Sequence, residues 1–87
     1  MLFMNDWYVY IAKTKSGQLY TGVSNDVANR IKKHNAGMGA KYTKTNGPVT
    51  LVYASGSLTK SEALKREIQI KGWTREKKLK LISGEWD

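Results

Sequence analysis

The chain lacks cysteine altogether and holds one histidine and one proline among its 87 residues. Without cysteine it can form no disulfide, no thiolate nucleophile and no cysteine-ligated zinc site, and a single histidine excludes a multi-histidine zinc site. Any metal is therefore a hard cation bound through oxygen ligands. Long apolar runs are also missing, because the apolar segment Met1-Leu2-Phe3-Met4 has no charged leader and is far shorter than a membrane span. We expect no targeting signal and a cytoplasmic protein.

Acidic residues are few. Seven Asp and Glu residues stand against fifteen Lys and Arg residues, which gives a formal net charge of +8 at pH 7. A surface with this imbalance usually binds a polyanion, so nucleic acid is the expected partner and a surface charged only for solubility is the alternative. A membrane is not expected as a partner, because no basic helix in the sequence has the bulky apolar opposite face of an interfacial helix.

Length and hydrophobic patterning predict one small domain over residues 1–87. Apolar and polar residues alternate over residues 7–12 and again over 19–23, which indicates two strands joined as a hairpin. A third run over residues 49–54 is nearly all apolar, which is typical of a central strand covered on both faces.

Capping residues predict three helices. The first is capped within residues 24–26 and runs to about residue 35. The second opens with the capping box of residues 59–62 and ends at Gly72. The third covers residues 74–82. The predicted order is therefore strand, strand, helix, strand, helix, helix.

The second helix carries a carboxylate on its apolar side. Glu67 and Lys71 both fall inside the apolar arc of the helical wheel, which is made of Ala63, Leu64, Ile68 and Ile70. A carboxylate facing the core is costly unless a cation or hydrogen bonds compensate it, so Glu67 is a candidate functional residue. The alternative is a surface ion pair, because Glu67 and Lys71 have the i, i+4 spacing that supports a helix.

The first helix shows the same kind of exception. His34 lies within an apolar arc of Val27, Ala28 and Ile31, and Arg30 lies at the border of that arc. Arg30 and His34 are one turn apart and can face the same cleft. Taken alone, each has an ordinary alternative, a half-buried histidine and a solvated arginine, but their joint placement makes both candidate site residues.

Tyr10 and Tyr20 can serve one site only if they project from the same face of the sheet, which requires an even pairing register. A two-residue turn at Ser16-Gly17 would break that register. We therefore predict a three-residue loop over residues 15–17, with Gly17 in the left-handed region, that pairs Thr14 with Gln18.

This ordered set of residues resembles the GIY-YIG nuclease superfamily, specifically its small single-domain bacterial members. Tyr8-Val9-Tyr10 stands where the first family motif would lie and Tyr20-Thr21-Gly22 where the second would lie. Arg30 and Glu67 match the family arginine and the family metal-binding glutamate. The resemblance implies an α+β fold, a three-stranded antiparallel sheet with helices packed around it, in agreement with the predicted order.

The sequence departs from the family pattern at three points. Tyr8 replaces the glycine of the first motif, and Thr21 replaces the isoleucine of the second. Members of the family often carry an asparagine on a later helix, and none follows Glu67. The last departure leaves open a non-catalytic nucleic-acid-binding module that keeps the fold.

The resemblance implies a metal-dependent endonuclease that hydrolyses DNA phosphodiester bonds, with DNA ahead of RNA as substrate and with no small-molecule cofactor. Glu67 would bind one Mg²⁺ or Mn²⁺ and Arg30 would stabilise charge on the phosphoryl oxygens. Tyr10, hydrogen-bonded towards Tyr20 or His34, would orient and deprotonate the water, and His34 is a rival assignment for the base. Structure-selective or non-specific cleavage in DNA repair or recombination is expected, and a scaffold that recruits a protein partner is a third possibility.

Phosphate contacts are expected from basic side chains around this site. Tyr42, in a basic loop, would either stack on an unpaired base or pack on its own domain. The residues expected to bind nucleic acid are Lys32, Lys33, Lys41, Tyr42, Lys44, Lys71, Arg75, Lys77, Lys78 and Lys80.

Overall fold

The computed structural model describes residues 6–36 and 48–85, and over these ranges the protein is an α+β domain. Its elements are β1 (Tyr8–Thr14), β2 (Leu19–Ser24), α1 (Val27–Asn35), β3 (Val49–Ala54), α2 (Lys60–Lys71) and α3 (Arg75–Ile82). The three strands form one antiparallel sheet. This order confirms the predicted fold class. No helix in the described ranges is long and apolar enough to cross a membrane.

The loop between β1 and β2 has the predicted length of three residues. The Thr14 N–H donates a hydrogen bond to the Gln18 carbonyl at 2.8 Å, which closes the loop around residues 15–17. Gly17 has a φ of 94°, a left-handed conformation that glycine adopts without steric cost. The longer loop therefore follows from the position of this glycine.

The loop sets an even register between β1 and β2. Tyr10 lies opposite Gly22 and Ala12 lies opposite Tyr20. Because directly opposed residues of antiparallel strands share a face, Tyr10 and Tyr20 project from the same side of the sheet. The predicted even register, which places both tyrosines on one face, is confirmed.

β3 lies at an edge of the sheet, whose strand order is β2-β1-β3. The expectation of a central strand was wrong, and Leu51 is exposed. The apolar run has another cause, a bulge, because β3 pairs Tyr53 with Ile11 and Leu51 with Ala12 and leaves Val52 as an extra residue. Val52 and Tyr53 consequently pack against one cluster instead of alternating.

Two hydrophobic clusters cover the two faces of the sheet. Successive side chains of β1 point to opposite faces, as predicted for residues 7–12. What we call the α2–α3 layer joins Val9 and Ile11 to the C-terminal helices through Ala63, Ile70 and Leu81. What we call the α1 layer joins Tyr10, Ala12 and Val49 to Tyr20, Val27 and Ile31.

Side-chain caps fix the starts of the helices. Asp26 is the N-cap of α1, and its Oδ1 accepts a hydrogen bond from the Asn29 N–H at 3.2 Å. In α2 the Glu62 N–H donates to Thr59 Oγ1 at 3.1 Å, and the Thr59 N–H donates to Glu62 Oε1 at 2.9 Å. The predicted capping box is confirmed.

α2 packs on the sheet through a narrower face than the helical wheel suggested. Ala63 and Ile70 are buried, whereas Leu64 is exposed and Ile68 is 71% exposed. Glu67 lies between the two buried positions along an i, i+4, i+7 stripe, so the inward side of α2 is centred near this carboxylate. The apolar arc is therefore only half buried, because its other half points to solvent.

Candidate active site

The face of the sheet that α1 covers carries Tyr10, Tyr20 and Gly22. The ring centroids of Tyr10 and Tyr20 are 6.5 Å apart and the ring planes are inclined by 49°. The Tyr10 ring lies across Gly22, where an added Cβ would come within 2.7 Å of the phenol Oη and 2.9 Å of Cζ. Glycine is therefore required at position 22 by the close approach of the ring and not by its backbone angles.

Tyr10 is buried, and its surroundings raise its pKa. Its side chain is 1% exposed. Burial is the main cause that raises the pKa of Tyr10 from 10.0 to about 12; the acidic groups of Tyr20 and Glu67 raise the pKa as well, and Arg30 opposes them. Of these groups, Tyr20 is in ring contact with Tyr10. Tyr10 is protonated at neutral pH.

α1 places a buried imidazole beside Tyr20. His34 is 4% exposed, and its ring meets the Tyr20 ring edge-on with centroids 5.4 Å apart. Burial lowers the pKa of His34, and the positive charge of Arg30 lowers it further. The imidazole is therefore neutral at pH 7, a state in which one ring nitrogen can accept a proton. Arg30 itself is exposed and forms no ion pair with any described residue.

Glu67 is largely covered and has one cationic neighbour. Its side chain is 17% exposed, and its Oε2 lies 3.1 Å from Nζ of Lys71, which is 56% exposed. The ion pair that the sequence offered as an alternative is present. It is not a pair on a solvated face, because the carboxylate sits on the inward stripe of α2 and acts on the pKa of Tyr10.

The groups around Glu67 suit a hard cation that keeps much of its water. Within the described ranges, Glu67 Oε1 makes no hydrogen bond, and no group of three or more acidic or histidine side chains could hold a metal. One carboxylate is a sufficient protein ligand for Mg²⁺ when waters and substrate oxygens complete the shell. The residues therefore fit Mg²⁺ or Mn²⁺, provided that Lys71 moves from Oε2.

A cleft of about 170 Å³ opens beside Arg30, where β2 leads into α1. The Asp26 N–H donates to Ser24 Oγ at 2.9 Å, which stabilises this junction. The cleft, which we call the arginine cleft, is lined by Trp7, Ser24, Asn25, Asp26, Asn29, Arg30 and Lys33. It gives the Arg30 guanidinium open access to a ligand.

A second concave surface crosses the edge strand β2. Two adjoining cavities of about 280 and 380 Å³ share Leu19 and Lys78. Together they form what we call the basic groove, lined by Gln18, Leu19, Tyr20, Thr21, Lys71, Arg75 and Lys78. No acidic side chain of the described residues lines it. Three cations thus lie together beside the candidate catalytic Tyr20.

The other predicted nucleic-acid-binding residues are more dispersed. Lys32 and Lys33 are exposed at the C-terminal end of α1. Lys77 does not line the basic groove; its Nζ lies 4.7 Å from the ring centroid of Trp73, a cation–π contact. Lys41, Tyr42 and Lys44 lie outside the described residues.

Two residues near the site were missed by the sequence interpretation. Asn35 Nδ2 donates to the Val49 carbonyl at 3.1 Å, and the Val49 N–H donates to Asn35 Oδ1 at 2.6 Å, so this side chain ties the end of α1 to the start of β3. Thr21 has a buried hydroxyl that has no hydrogen-bond partner among the described residues. No local pattern signals either role, because both depend on contacts between distant segments.

The model of the GIY-YIG catalytic domain family matches residues 6–80 of the chain. The chain belongs to the GIY-YIG family. The matched range contains both tyrosine-bearing strands, α1 with Arg30, and α2 with Glu67. The resemblance drawn from the motif residues is confirmed, and it assigns the domain to a nuclease superfamily.

Sequence similarity between this GIY-YIG domain and its relatives covers almost the whole chain. The UPF0213 protein SSP2268 of Staphylococcus saprophyticus is 60% identical over 80 residues, 92% of this chain and 98% of its own. A UPF0213 protein of Staphylococcus aureus strain Mu3 is 58% identical over 79 residues, 91% of this chain and 96% of its own. These names state no activity, so the nuclease assignment depends on the family.

A solved structure supports the fold. The solution NMR structure of the UPF0213 protein BH0048 from Bacillus halodurans is 47% identical and has a TM-score of 0.57, covering 88% of this chain and 82% of that one. The GIY-YIG domain therefore shares its architecture with this UPF0213 protein.

Proposed function

We propose that this GIY-YIG domain is a metal-dependent endonuclease that hydrolyses DNA phosphodiester bonds. The observation that carries the proposal is the position of Tyr20, whose ring centroid lies 6.5 Å from that of Tyr10 and 5.4 Å from that of His34. Tyr20 also lines the basic groove together with Lys71, the ion-pair partner of Glu67. A guanidinium, a carboxylate and phenols gathered beside a basic groove are the groups that phosphodiester hydrolysis needs.

Arg30 binds the non-bridging oxygens of the scissile phosphate. No carboxylate of the described residues neutralises it, and the arginine cleft leaves it accessible. A guanidinium can donate two parallel hydrogen bonds to a phosphate, which lysine cannot do. These bonds strengthen as negative charge grows on the phosphoryl oxygens in the transition state.

His34 accepts the proton of the attacking water, and Tyr10 orients that water. Of the two bases that the sequence left open, the pKa values favour His34, because a phenol with a pKa of about 12 keeps its proton at neutral pH whereas the imidazole is already neutral. Since His34 is buried against the Tyr20 ring, we assign the transfer to Tyr20, whose hydroxyl gives its proton to the imidazole and takes one from the water. The hydroxide then attacks phosphorus as the opposite P–O bond breaks; the bonding pair leaves on the departing oxygen, which takes a proton from solvent.

Glu67 is the protein ligand for Mg²⁺ or Mn²⁺ in this proposal. When bound, the cation supplies charge stabilisation at the phosphate and lowers the pKa of a coordinated water. Glu67 contributes one anionic oxygen, and its position on the packed stripe of α2 holds that oxygen in a fixed direction.

The basic groove binds the DNA backbone. Lys71, Arg75 and Lys78 contact phosphates, which position a strand and carry no sequence information. This supports structure-selective or non-specific cleavage, of the kind that serves DNA repair or recombination.

Cleavage assays on branched, nicked and single-stranded DNA with Mg²⁺ or Mn²⁺ test the proposal. We expect Glu67→Gln and Arg30→Ala each to lower kcat by about 100-fold or more, as the loss of a transition-state contact does. Lys65→Ala, an exposed change on α2, is the matched control and leaves the rate unchanged. Identical background cutting by wild type and both site variants, with salt-sensitive DNA binding intact, would exclude the endonuclease.

The second candidate is a nucleic-acid-binding module without turnover. The observation that favours it is the Lys71 ammonium at Glu67 Oε2, together with the absence of an asparagine after Glu67. Such a module binds DNA with the same salt dependence, cuts none of the three substrates and gains no affinity from Mg²⁺.

A further inference from the structure

A permanent ion pair between Glu67 and Lys71 would prevent Glu67 from binding a metal ion in the proposed reaction. In the proposed reaction Glu67 holds a divalent cation, yet one of its oxygens lies 3.1 Å from an ammonium. Two cations cannot share this oxygen without strong repulsion at such distances. The reaction therefore requires Lys71 to leave, and it requires somewhere for the ammonium to go.

Lys71 is exposed to solvent and borders a second binding surface. Its side chain is 56% exposed, whereas Glu67 is 17% exposed and is fixed on the inward stripe of α2. The same lysine lines the basic groove beside Tyr20, Thr21 and Lys78. An i, i+4 pair is weak, so a phosphate in the groove can compete for the ammonium.

We propose that Lys71 is an exchange residue that passes from Glu67 to a DNA phosphate and so couples DNA binding to metal binding. In the free domain its ammonium compensates the half-buried carboxylate. When a DNA backbone enters the basic groove, the ammonium turns to a phosphate and Glu67 is left uncompensated on the inward stripe of α2. A carboxylate in that state binds a divalent cation more tightly, because the burial that disfavours a bare charge favours a paired one.

This inference rests on the proposed function, since it gives Glu67 the metal and the groove the DNA. Its rival is a purely structural ion pair that persists with DNA bound. The two differ in a measurable way, because exchange makes Lys71 a competitor of the metal in the free protein and links the two affinities reciprocally.

Metal binding without DNA provides the first test. Mn²⁺ broadens the backbone amide signals nearest its site, so titration of the labelled domain reports affinity at Glu67 directly. We expect Lys71→Met, which keeps the length of the side chain, to raise Mn²⁺ affinity about fivefold or more. Lys65→Met removes an equal charge from the exposed side of the same helix and should change it less than twofold, while Lys71→Arg should resemble wild type.

DNA binding without metal provides the second test of the exchange. In EDTA, we expect Glu67→Gln to raise DNA affinity about threefold by releasing Lys71, and we expect no such gain in the Lys71→Met background. Two outcomes overturn the exchange and leave the endonuclease intact. One is a gain in DNA affinity of equal size in both backgrounds, and the other is Mn²⁺ binding by Lys71→Met that is no tighter than by Lys65→Met. If neither wild type nor Lys71→Met binds Mn²⁺ at Glu67 in the free domain, the exchange is overturned, and the cleavage assays alone decide on the endonuclease, because substrate oxygens can complete the metal shell.

Discussion

Alanine at position 22 would drive a methyl group into the Tyr10 ring. A Cβ there would lie 2.7 Å from Oη, 2.9 Å from Cζ and 3.1 Å from Cε2. Tyr10 cannot rotate away freely, because it is 1% exposed and belongs to the α1 layer with Ala12 and Val49. The strand and the ring must therefore separate by several tenths of an ångström.

The cost can be bounded. Overpacking a buried site by one methyl group costs about 1–3 kcal/mol, and replacing glycine by alanine in the chain recovers roughly 0.5–1 kcal/mol of conformational entropy. The difference between these two terms spans about 0–2.5 kcal/mol, and we expect Gly22→Ala to lower the free energy of unfolding by about 1–2 kcal/mol within that range, because contacts below 3.0 Å to Oη and Cζ require movement. In a domain of this size that corresponds to a fall in Tm of roughly 4–16 °C.

Urea and thermal unfolding measure this change, and the chain supplies its own control. Gly56 is another described glycine with no left-handed φ and nothing within 4 Å of an added Cβ, so Gly56→Ala should be neutral or slightly stabilising. Tyr10→Leu removes the ring, so Gly22→Ala should cost little in that background. Tyr10→Phe removes the hydroxyl alone and should relieve the clash only in part, since ring carbons remain.

Equal stability of Gly22→Ala and Gly56→Ala would refute the close packing of ring on strand. So would an undiminished cost of Gly22→Ala in the Tyr10→Leu background, which would place the strain elsewhere. Either result would also remove the reason given for glycine in the second motif.

Three further outcomes are expected. Burial raises the pKa of Tyr10 from 10.0 to about 12, so its contribution to stability is complete below pH 10 and is lost as pH rises through 12. At pH 11 wild type should have lost about 1.4 kcal/mol of unfolding free energy that Tyr10→Phe does not lose. A difference in stability between the two proteins that stays constant from pH 8 to 11 would contradict this. Asn35→Ala removes both hydrogen bonds to Val49 and should cost about 1–3 kcal/mol in urea unfolding, whereas a cost below 0.5 kcal/mol would make the tie unimportant. Lys78→Ala should reduce the slope of log K against log salt for DNA binding by about 1, and Lys77→Ala, whose ammonium lies over a ring, should reduce it less; equal reductions would argue against the basic groove as the phosphate track.

Local patterns in the sequence predicted most of the secondary structure. The hairpin loop was predictable because only a left-handed Gly17 satisfies the register that two tyrosines on one face require. The start of α2 was predictable because the Thr59 and Glu62 caps are satisfied by residues three positions apart. Information of this kind is contained within a few neighbouring residues.

Features that depend on distant segments could not be predicted. The nearly all-apolar run gave no sign that β3 lies at an edge or that Val52 is a bulge residue, since both depend on pairing with β1. The helical wheel gave the apolar arc of α2 but not its orientation on the sheet, so the exposure of Ile68 came only from the packing.

The candidate site shows the same division. Spacing placed Arg30 and His34 on one helix side, but it could not decide whether Glu67 would pair with Lys71 or face the sheet, and the structure shows that it does both. Groups from three elements act on Tyr10, which no spacing rule within a single element can reveal.

The two-layered arrangement also separates the parts of the site mechanically. Arg30 and His34 are carried by the helix above one face of the sheet, and Glu67 by a helix above the other, with β1 as a rigid spacer between them. A substitution that loosens one layer is therefore expected to displace the candidate site residues of that layer more than those of the other. In a scaffold built in this way, the side proposed to bind the metal and the side proposed to bind the phosphate can be altered one at a time.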